Sequence, residues 1–217
     1  IPVLDRPDRA AVVLASLAAS TSKARALFIC SPEDDVEIAA VKQTGADMII
    51  TPFERKPGDY ARKINLGVTL TDEPLIFLGA DDLKFHNAWF ELALRQLKGH
   101  IGVVGTNDMG SRRAQTGQHS THSLVTRTYI EKFGTIDELG KALHEGYDHN
   151  FVDDELVQTA KYRRAWASAR DSHVEHLHPH WRKGSQDETY ILGRRQYAQD
   201  REYFNSRCPL WGQTSQR

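Results

Sequence analysis

Asp81 and Asp82 are the residues of this chain best placed to do chemistry. They follow Leu75-Ile76-Phe77-Leu78, an apolar run with aromatic and β-branched members between turn signals, which predicts a short central strand buried on both faces. In an open α/β sheet, ligands bind in the crevice at the carboxyl ends of the strands, where this acidic pair is delivered. Adjacent carboxylates repel each other, and a hard divalent cation that also takes phosphate oxygens makes such a pair useful. The same pair also reads as an Asp-rich turn capping the helix that opens at Asn87.

Other candidates lie on either side. His176, His178 and His180 alternate, so a strand would put their imidazoles on one face, with Pro179 interrupting the pattern. A zinc site and a solvent-facing polar strand are the alternatives. Arg182 and Lys183 follow directly and can close over a diphosphate as cationic clamps, or be an ordinary basic surface pair. Asp153-Asp154-Glu155 is an acidic helix start, and Glu33-Asp34 reads equally well as a pair of first-turn acids.

These residues must be positioned by strands and helices in alternation. Ile1–Leu4 predicts a first strand, with a helix opened by Pro7 and running through Ala19. Ala26–Cys30 predicts a second strand; Ser31-Pro32-Glu33-Asp34 then opens a helix that Gly45 ends. Met48–Ile50 is a third strand, and a helix over 59–70 leads into the Leu75 strand. Strand–helix units in succession imply a parallel sheet with right-handed crossovers. Further on come a helix over 87–97, a strand over 101–106, and a polar glycine-containing loop over 107–118 that reads as a substrate loop or a surface loop. A strand at 123–126 and helices over 127–133, 153–164 and 188–204 complete the pattern, which predicts one domain over 1–217.

Composition sets limits. The 217 residues hold 40% hydrophobic side chains, enough for a sizeable core, and a net charge of −1 gives no global attraction to nucleic acid or an anionic membrane. Cys30 and Cys208 follow no metal or redox spacing and read as unpaired thiols in a reducing compartment. No apolar run approaches the ~20 residues a membrane span needs, and no signal-peptide pattern opens the chain. The expectation is a cytoplasmic protein without a membrane partner.

In order along the chain, these motifs resemble the nucleotide-sugar glycosyltransferases of the GT-A fold, especially the inverting family-two type. Ile1-Pro2-Val3-Leu4-Asp5-Arg6-Pro7 is similar to their first strand and turn, and Tyr60-Ala61-Arg62-Lys63-Ile64-Asn65-Leu66-Gly67 to their Ala-Arg-x-x-Asn-x-Gly helix. Phe77-Leu78-Gly79-Ala80-Asp81-Asp82 falls on their Phe-Leu-Asp-x-Asp-Asp motif. Gly134-Thr135-Ile136-Asp137-Glu138 resembles their Gly-Gly-Phe-Asp-Glu turn, Asp153-Asp154-Glu155-Leu156 their acidic catalytic helix start, and His176-Leu177-His178-Pro179 their late histidine strand. Trp181, Lys183 and Asp187–Tyr190 are similar to features of small bacteriophage-encoded transferases, which would place the protein in the host cytoplasm.

The resemblance implies a Rossmann-like, mostly parallel sheet flanked by helices, with a nucleotide-sugar-binding half at 1–106 and an acceptor and catalytic half at 107–217. It implies metal-dependent, inverting transfer from a nucleoside diphosphate sugar to a hydroxyl, with Mn²⁺ or Mg²⁺ held by Asp81 and by His176 or His178. Donor contacts would come from Pro2, Arg6, Glu33, Arg62, Asp81, Arg182 and Lys183. Asp153 falls on the general-base position, with Asp154 and Glu155 beside it to hold the acceptor or shift the base's pKa. Acceptors it suggests are a hydroxymethylated pyrimidine in phage DNA or a hydroxyl on a virion protein. Gly79 stands where the family has the first Asp of its motif, so weaker or altered metal dependence is expected, as is the alternative of an inactive nucleotide-sugar-binding module.

Overall fold

Hydrophobic strands alternating with amphipathic helices build two groups of strands in the computed structural model, which describes residues 1–212. Helix α1 spans Arg9–Ser20, β1 Leu27–Cys30, α2 Asp35–Thr44, β2 Asp47–Ile50 and α3 Asp59–Thr69. β1 and β2 pair in parallel. The segment Ile1–Val3 adds to the other edge of β1, with the Val3 N–H donating to the Ile29 carbonyl at 3.2 Å. The sequence expectation of a parallel N-terminal half therefore holds for these strands, because each crossover is a helix long enough to return the chain.

Strand β3 (Leu75–Phe77) begins a second group, followed by β4 (Leu83–Phe85), α4 (Trp89–Leu94), β5 (Val103–Asn107), α5 (Arg112–Gln115), β6 (Ser123–Thr126), α6 (Arg127–Lys132), α7 (Val152–Tyr162), β7 (Trp166–His176) and α8 (Glu188–Arg207). Its order is β3-β6-β5-β7-β4, with β5 and β7 parallel and the other neighbours antiparallel. β4 was not foreseen, and of the eleven-residue β7 only the end at His176 was, as the late histidine strand the resemblance implies. Trp166-Ala-Ser-Ala-Arg-Asp-Ser-His carries small and polar residues of weak β-propensity, and it is extended because it is clamped between β5 and β4.

Two other expectations are corrected. β3 is not buried on both faces: it is an edge strand, and all three of its residues are partly exposed. A groove of about 550 Å³, lined by Ile1, Leu27, Gly67, Leu75 and Phe77 among others, separates it from β1. None of the acids discussed above lines that groove. The loop at 107–118 contains the single-turn helix α5.

One core cluster joins α1, α2 and β1 to β4 through Val13, Leu17, Phe28, Val41, Phe85 and Trp89. Another packs α3 against α6 and α7 through Ile64, Val68, Ile130, Leu156 and Ala160. The second core needs a glycine where α3 begins. Gly58 has φ +83°, and a Cβ there would lie 2.6 Å from the Tyr147 carbonyl oxygen. Cys30 and Cys208 are buried and unpaired, as read from their spacing. Among the described residues no helix is long and apolar enough to cross a membrane.

Candidate active site

The acids after β3 are fixed by two strands at once. The Leu78 N–H donates to the Ser123 carbonyl, and the Leu177 N–H donates to the Asp82 carbonyl at 2.8 Å, continuing the β4–β7 ladder that pairs Leu83 with His176. Asp82 is thereby brought to His176, whose Nε2 lies 3.0 Å from Asp82 Oδ2; the Tyr190 hydroxyl donates to the same oxygen at 2.6 Å. Asp81 turns to the other side and accepts from Arg6 Nη1 at 2.9 Å. Both aspartates are buried.

A histidine that the sequence reading passed over completes this cluster. His122 Nδ1 lies 2.9 Å from the Leu78 carbonyl oxygen, an acceptor, so the ring's one proton sits on Nδ1 and its Nε2 presents a lone pair. Burial, with His176 adding to it, pushes the His122 pKa down to about 4 and keeps the ring neutral. Its Nε2 and Asp82 Oδ1 are buried without hydrogen-bond partners among the described residues. Asp82, His122 and His176 each offer a ligand atom within 4.8 Å of the others. Burial opposes charge on His176, but Asp82 holds its pKa above the ordinary imidazole value. Asp82 in turn stays ionised despite its burial, because His176 and the Tyr190 hydroxyl favour the anion. Asp81 is raised by burial, with Arg6 opposing and the like charge of Asp82 adding to the shift.

Opposite lies the acidic start of α7. Phe151 ends the preceding loop in the left-handed region at φ 66° and stacks on Phe204, which fixes the first turn of α7 with Asp153 against His119. Asp153 Oδ2 lies 3.1 Å from His119 Nε2. Asp154 accepts from Arg113 at 2.8 Å and stands 3.6 Å from His119 Nδ1. Burial works against charge on both members of the His119–Asp153 pair, yet their contact lowers the Asp153 pKa and raises that of His119. Asp154 is raised by burial and then by Asp153. The Asp153 charge is felt by His122 and His176, so the two clusters share one electrostatic environment.

The structure brings together Arg6, Asp81, Asp82, Asp153, Asp154 and His176 from the residues singled out in the sequence. Others face elsewhere. Glu155, one position further along α7, points into the protein, where Arg207 and the Tyr147 hydroxyl take both its oxygens. Helical geometry sends successive residues to different faces, so three acids in a row cannot all reach one cleft. His178 lies beyond the end of β7 but stays beside the cluster, its ring centroid 5.0 Å from that of His176 and 4.5 Å from that of Tyr190, and burial pushes its pKa down to about 4. His180 sits in a 3₁₀ turn over Pro179–Trp181, so Pro179 ends the alternating pattern. Lys183 is held by Glu175 at 2.7 Å and Arg182 is exposed. Exposed Glu33 accepts from the Arg55 N–H, while Asp34 rather than Ser31 caps α2. Arg62 pairs with Asp59 over the ring of Phe53, and Pro2 bridges to β1.

His119, His122 and Arg9 are the residues here that sequence reasoning missed, and Asp187 and Tyr190 were noted only as part of a motif, with no role. The available signal was His119-Ser-Thr-His122 closing the polar loop whose substrate reading was already open.

No known protein family's sequence profile and no curated protein matches this chain. Solved structures do share its fold. The mannosyltransferase from Pyrobaculum calidifontis, in complex with GDP-Man and Mn²⁺, superposes with a TM-score of 0.62 at 12% identity, covering 97% of this chain and 71% of that one. Glucosyl-3-phosphoglycerate synthase from Mycobacterium tuberculosis, with Mn²⁺, UDP-glucose and phosphoglyceric acid, gives 0.62 at 13% identity over 97% of this chain and 78% of that one. A mycobacterial protein gives 0.62 at 14%, over 97% and 73%. At these identities the likeness concerns the fold, which is of the GT-A type.

Proposed function

We propose that this chain is a metal-dependent, inverting glycosyltransferase that moves a sugar from a nucleoside diphosphate donor to a hydroxyl, with 1–106 serving the donor and 107–217 the acceptor. The observation that carries the reading is a pair of clusters in one electrostatic environment: an Asp82–His122–His176 triad with free ligand atoms, and a separate ionised carboxylate at Asp153. The GT-A-type structures with nucleotide sugars and Mn²⁺ support it.

The triad fits a divalent cation on its own chemistry. Two buried ligand atoms lack partners, and His122 donates its other ring nitrogen to a backbone carbonyl, as metal-bound histidines do. Asp82, His122 and His176 would hold the ion, in place of the Asp81, His176 and His178 set implied by the resemblance. One carboxylate with imidazoles suits Mn²⁺ better than Mg²⁺. A bound ion would supply Lewis-acid neutralisation of the charge that grows on the leaving diphosphate.

The rest falls to the chain's own side chains. Asp153 accepts the proton of the acceptor hydroxyl as the new C–O bond forms on the anomeric carbon and the bond to the diphosphate breaks on the opposite face. His119 orients that carboxylate and keeps it ionised. Arg113, paired with Asp154, and its exposed neighbour Arg112 supply two cations with which an acceptor bearing phosphates would pair. That pairing favours a hydroxymethylated pyrimidine in DNA, as in bacteriophage genomes, over a protein hydroxyl.

The test is a thermal-shift screen of UDP, GDP, CDP and dTDP sugars with Mn²⁺, followed by transfer assays with the selected donor. Asp153→Asn should retain donor binding and lose about 10²–10⁴-fold in transfer rate. Full activity in that variant would remove Asp153 from the mechanism. Donor binding without transfer to any acceptor would favour the inactive-module alternative and point to Gly79.

A further inference from the structure

We propose that Arg6 and Arg9 form an anion subsite for the donor's diphosphate, and that the Asp187 carboxylate is a displaceable internal occupant of it. The inference rests on the donor-binding reading above and adds a subsite to it.

The two guanidiniums converge from the start of α1. Arg6 is placed by its own backbone: its N–H donates to Glu37 Oε2 at 2.7 Å, and the Asp5 N–H donates to Asp34 Oδ2 at 2.8 Å, tying the turn after the first strand to α2. Its side chain makes a two-pronged contact with Asp187, from Nε at 2.8 Å and Nη2 at 2.9 Å, and gives Nη1 to Asp81. Arg9 donates to Asp187 at 3.2 Å and to the Tyr190 hydroxyl at 3.1 Å. The Tyr190 ring lies under both arginines, with the Arg6 guanidinium carbon 4.3 Å from its centroid. The forked donors that match a carboxylate match phosphate oxygens equally well.

Asp187 and Asp81 are not equivalent partners. The Asp81 side chain is 5% exposed and fixed behind β3, whereas that of Asp187 is 31% exposed and comes from a distant part of the chain. Residues 184–186, just before it, are all exposed. Asp187 can therefore swing out into water more readily than Asp81. Its departure would leave three guanidinium N–H groups without acceptors beside the Asp82–His122–His176 cluster, where a diphosphate oxygen can take the place of each lost carboxylate oxygen. The carboxylate also caps α8, accepting from the Tyr190 N–H at 3.2 Å, so donor entry would be coupled to the first turn of that helix.

Calorimetric titration with inorganic pyrophosphate tests this in the full chain. Asp187→Asn keeps a good capping side chain and removes the competing charge, so the pyrophosphate Kd should fall by about tenfold. Asp187→Ser, also a capping residue, should do the same, and Arg9→Ala should raise the Kd by about tenfold. An unchanged or weaker Kd in both Asp187 variants, with helical circular dichroism intact, would overturn the proposal, as would a lack of pyrophosphate binding by every form. Because the probe carries no sugar or nucleoside, the outcomes separate. Tighter pyrophosphate binding in a protein that transfers no sugar leaves the subsite standing without the transferase, and sugar transfer with pyrophosphate binding indifferent to Asp187 does the reverse.

Discussion

Two buried polar clusters share helix α7 and differ in one respect. At Glu155 the network is closed: Arg207 donates Nε and Nη2 to the two carboxylate oxygens at 2.6 and 2.7 Å, the Tyr147 hydroxyl adds a third bond at 2.6 Å, and the rest of the guanidinium is taken by Asp137. Across the helix, the groups around Asp82 and Asp153 are open, with buried atoms of Asp82, His119 and His122 lacking partners. A closed network positions backbone, here by fastening α8 to α7. An open one is held in unfavourable solvation by the surrounding fold and gains most from a ligand. Removing a member of the first should cost stability, and removing a member of the second should cost binding.

The largest expected stability effect is at the closed network. Arg207→Ala leaves Glu155 as an uncompensated buried charge, for a loss of about 3–5 kcal/mol in urea unfolding. A loss under about 1 kcal/mol would mean that Arg207 is no more than a surface pair. Next to it His144 Nδ1 is buried without a hydrogen-bond partner among the described residues, but the carboxylates of Asp137 and Glu155 are both taken by the Arg207 guanidinium, so this group lacks the free anionic ligands of a second metal site.

His122→Phe probes the open side. The substitution keeps an aromatic ring of similar shape, removes one hydrogen bond to the Leu78 carbonyl and also removes the unpartnered Nε2, so stability should stay within about 1 kcal/mol. Mn²⁺ affinity, read by calorimetry, should fall by about tenfold or more. The opposite pattern, destabilised but still binding Mn²⁺, would move His122 into the structural class with Glu155.

Much of this was legible in the chain, and the losses have physical reasons. The strand–helix alternation to Phe77 and the Gly45 cap were readable because each is a local pattern with a fixed period or turn chemistry, whereas Asp81, Asp153 and His176 were singled out by the order of motifs that the resemblance rests on. The body of β7 was not readable, since its extended form depends on neighbours from elsewhere in the chain. The same limit hid the direction of Glu155, whose partner Arg207 lies 52 residues away. It also hid Asp187, which meets Arg6 across a separation of 181 residues. The motif placed Asp81 on the metal, but the β4–β7 register hands His176 to Asp82 and leaves Asp81 to Arg6.

The smallest expected effect separates the clusters by pH. The folded pKa of His119 is raised above its ordinary 6.5, so the stability it draws from Asp153 is fully present below that value and is lost as pH rises through the folded pKa. Asp153 is lowered below its ordinary 3.8, so its share is present above that value and lost as pH falls through the lower, folded one. The pair thus contributes most between these two ordinary values. In urea midpoints taken from about pH 5 to 9, the advantage of the native chain over His119→Gln should shrink steadily on the alkaline side. The deficit of Arg207→Ala should persist across the same range, because a guanidinium does not titrate there. A His119→Gln difference that stayed flat with pH would mean that His119 takes up its proton equally in the folded and unfolded chain and gains nothing as a cation from Asp153. Asp153 would then owe its ionised state to something other than this contact, and the division between a closed network and an open one would lose its His119–Asp153 half.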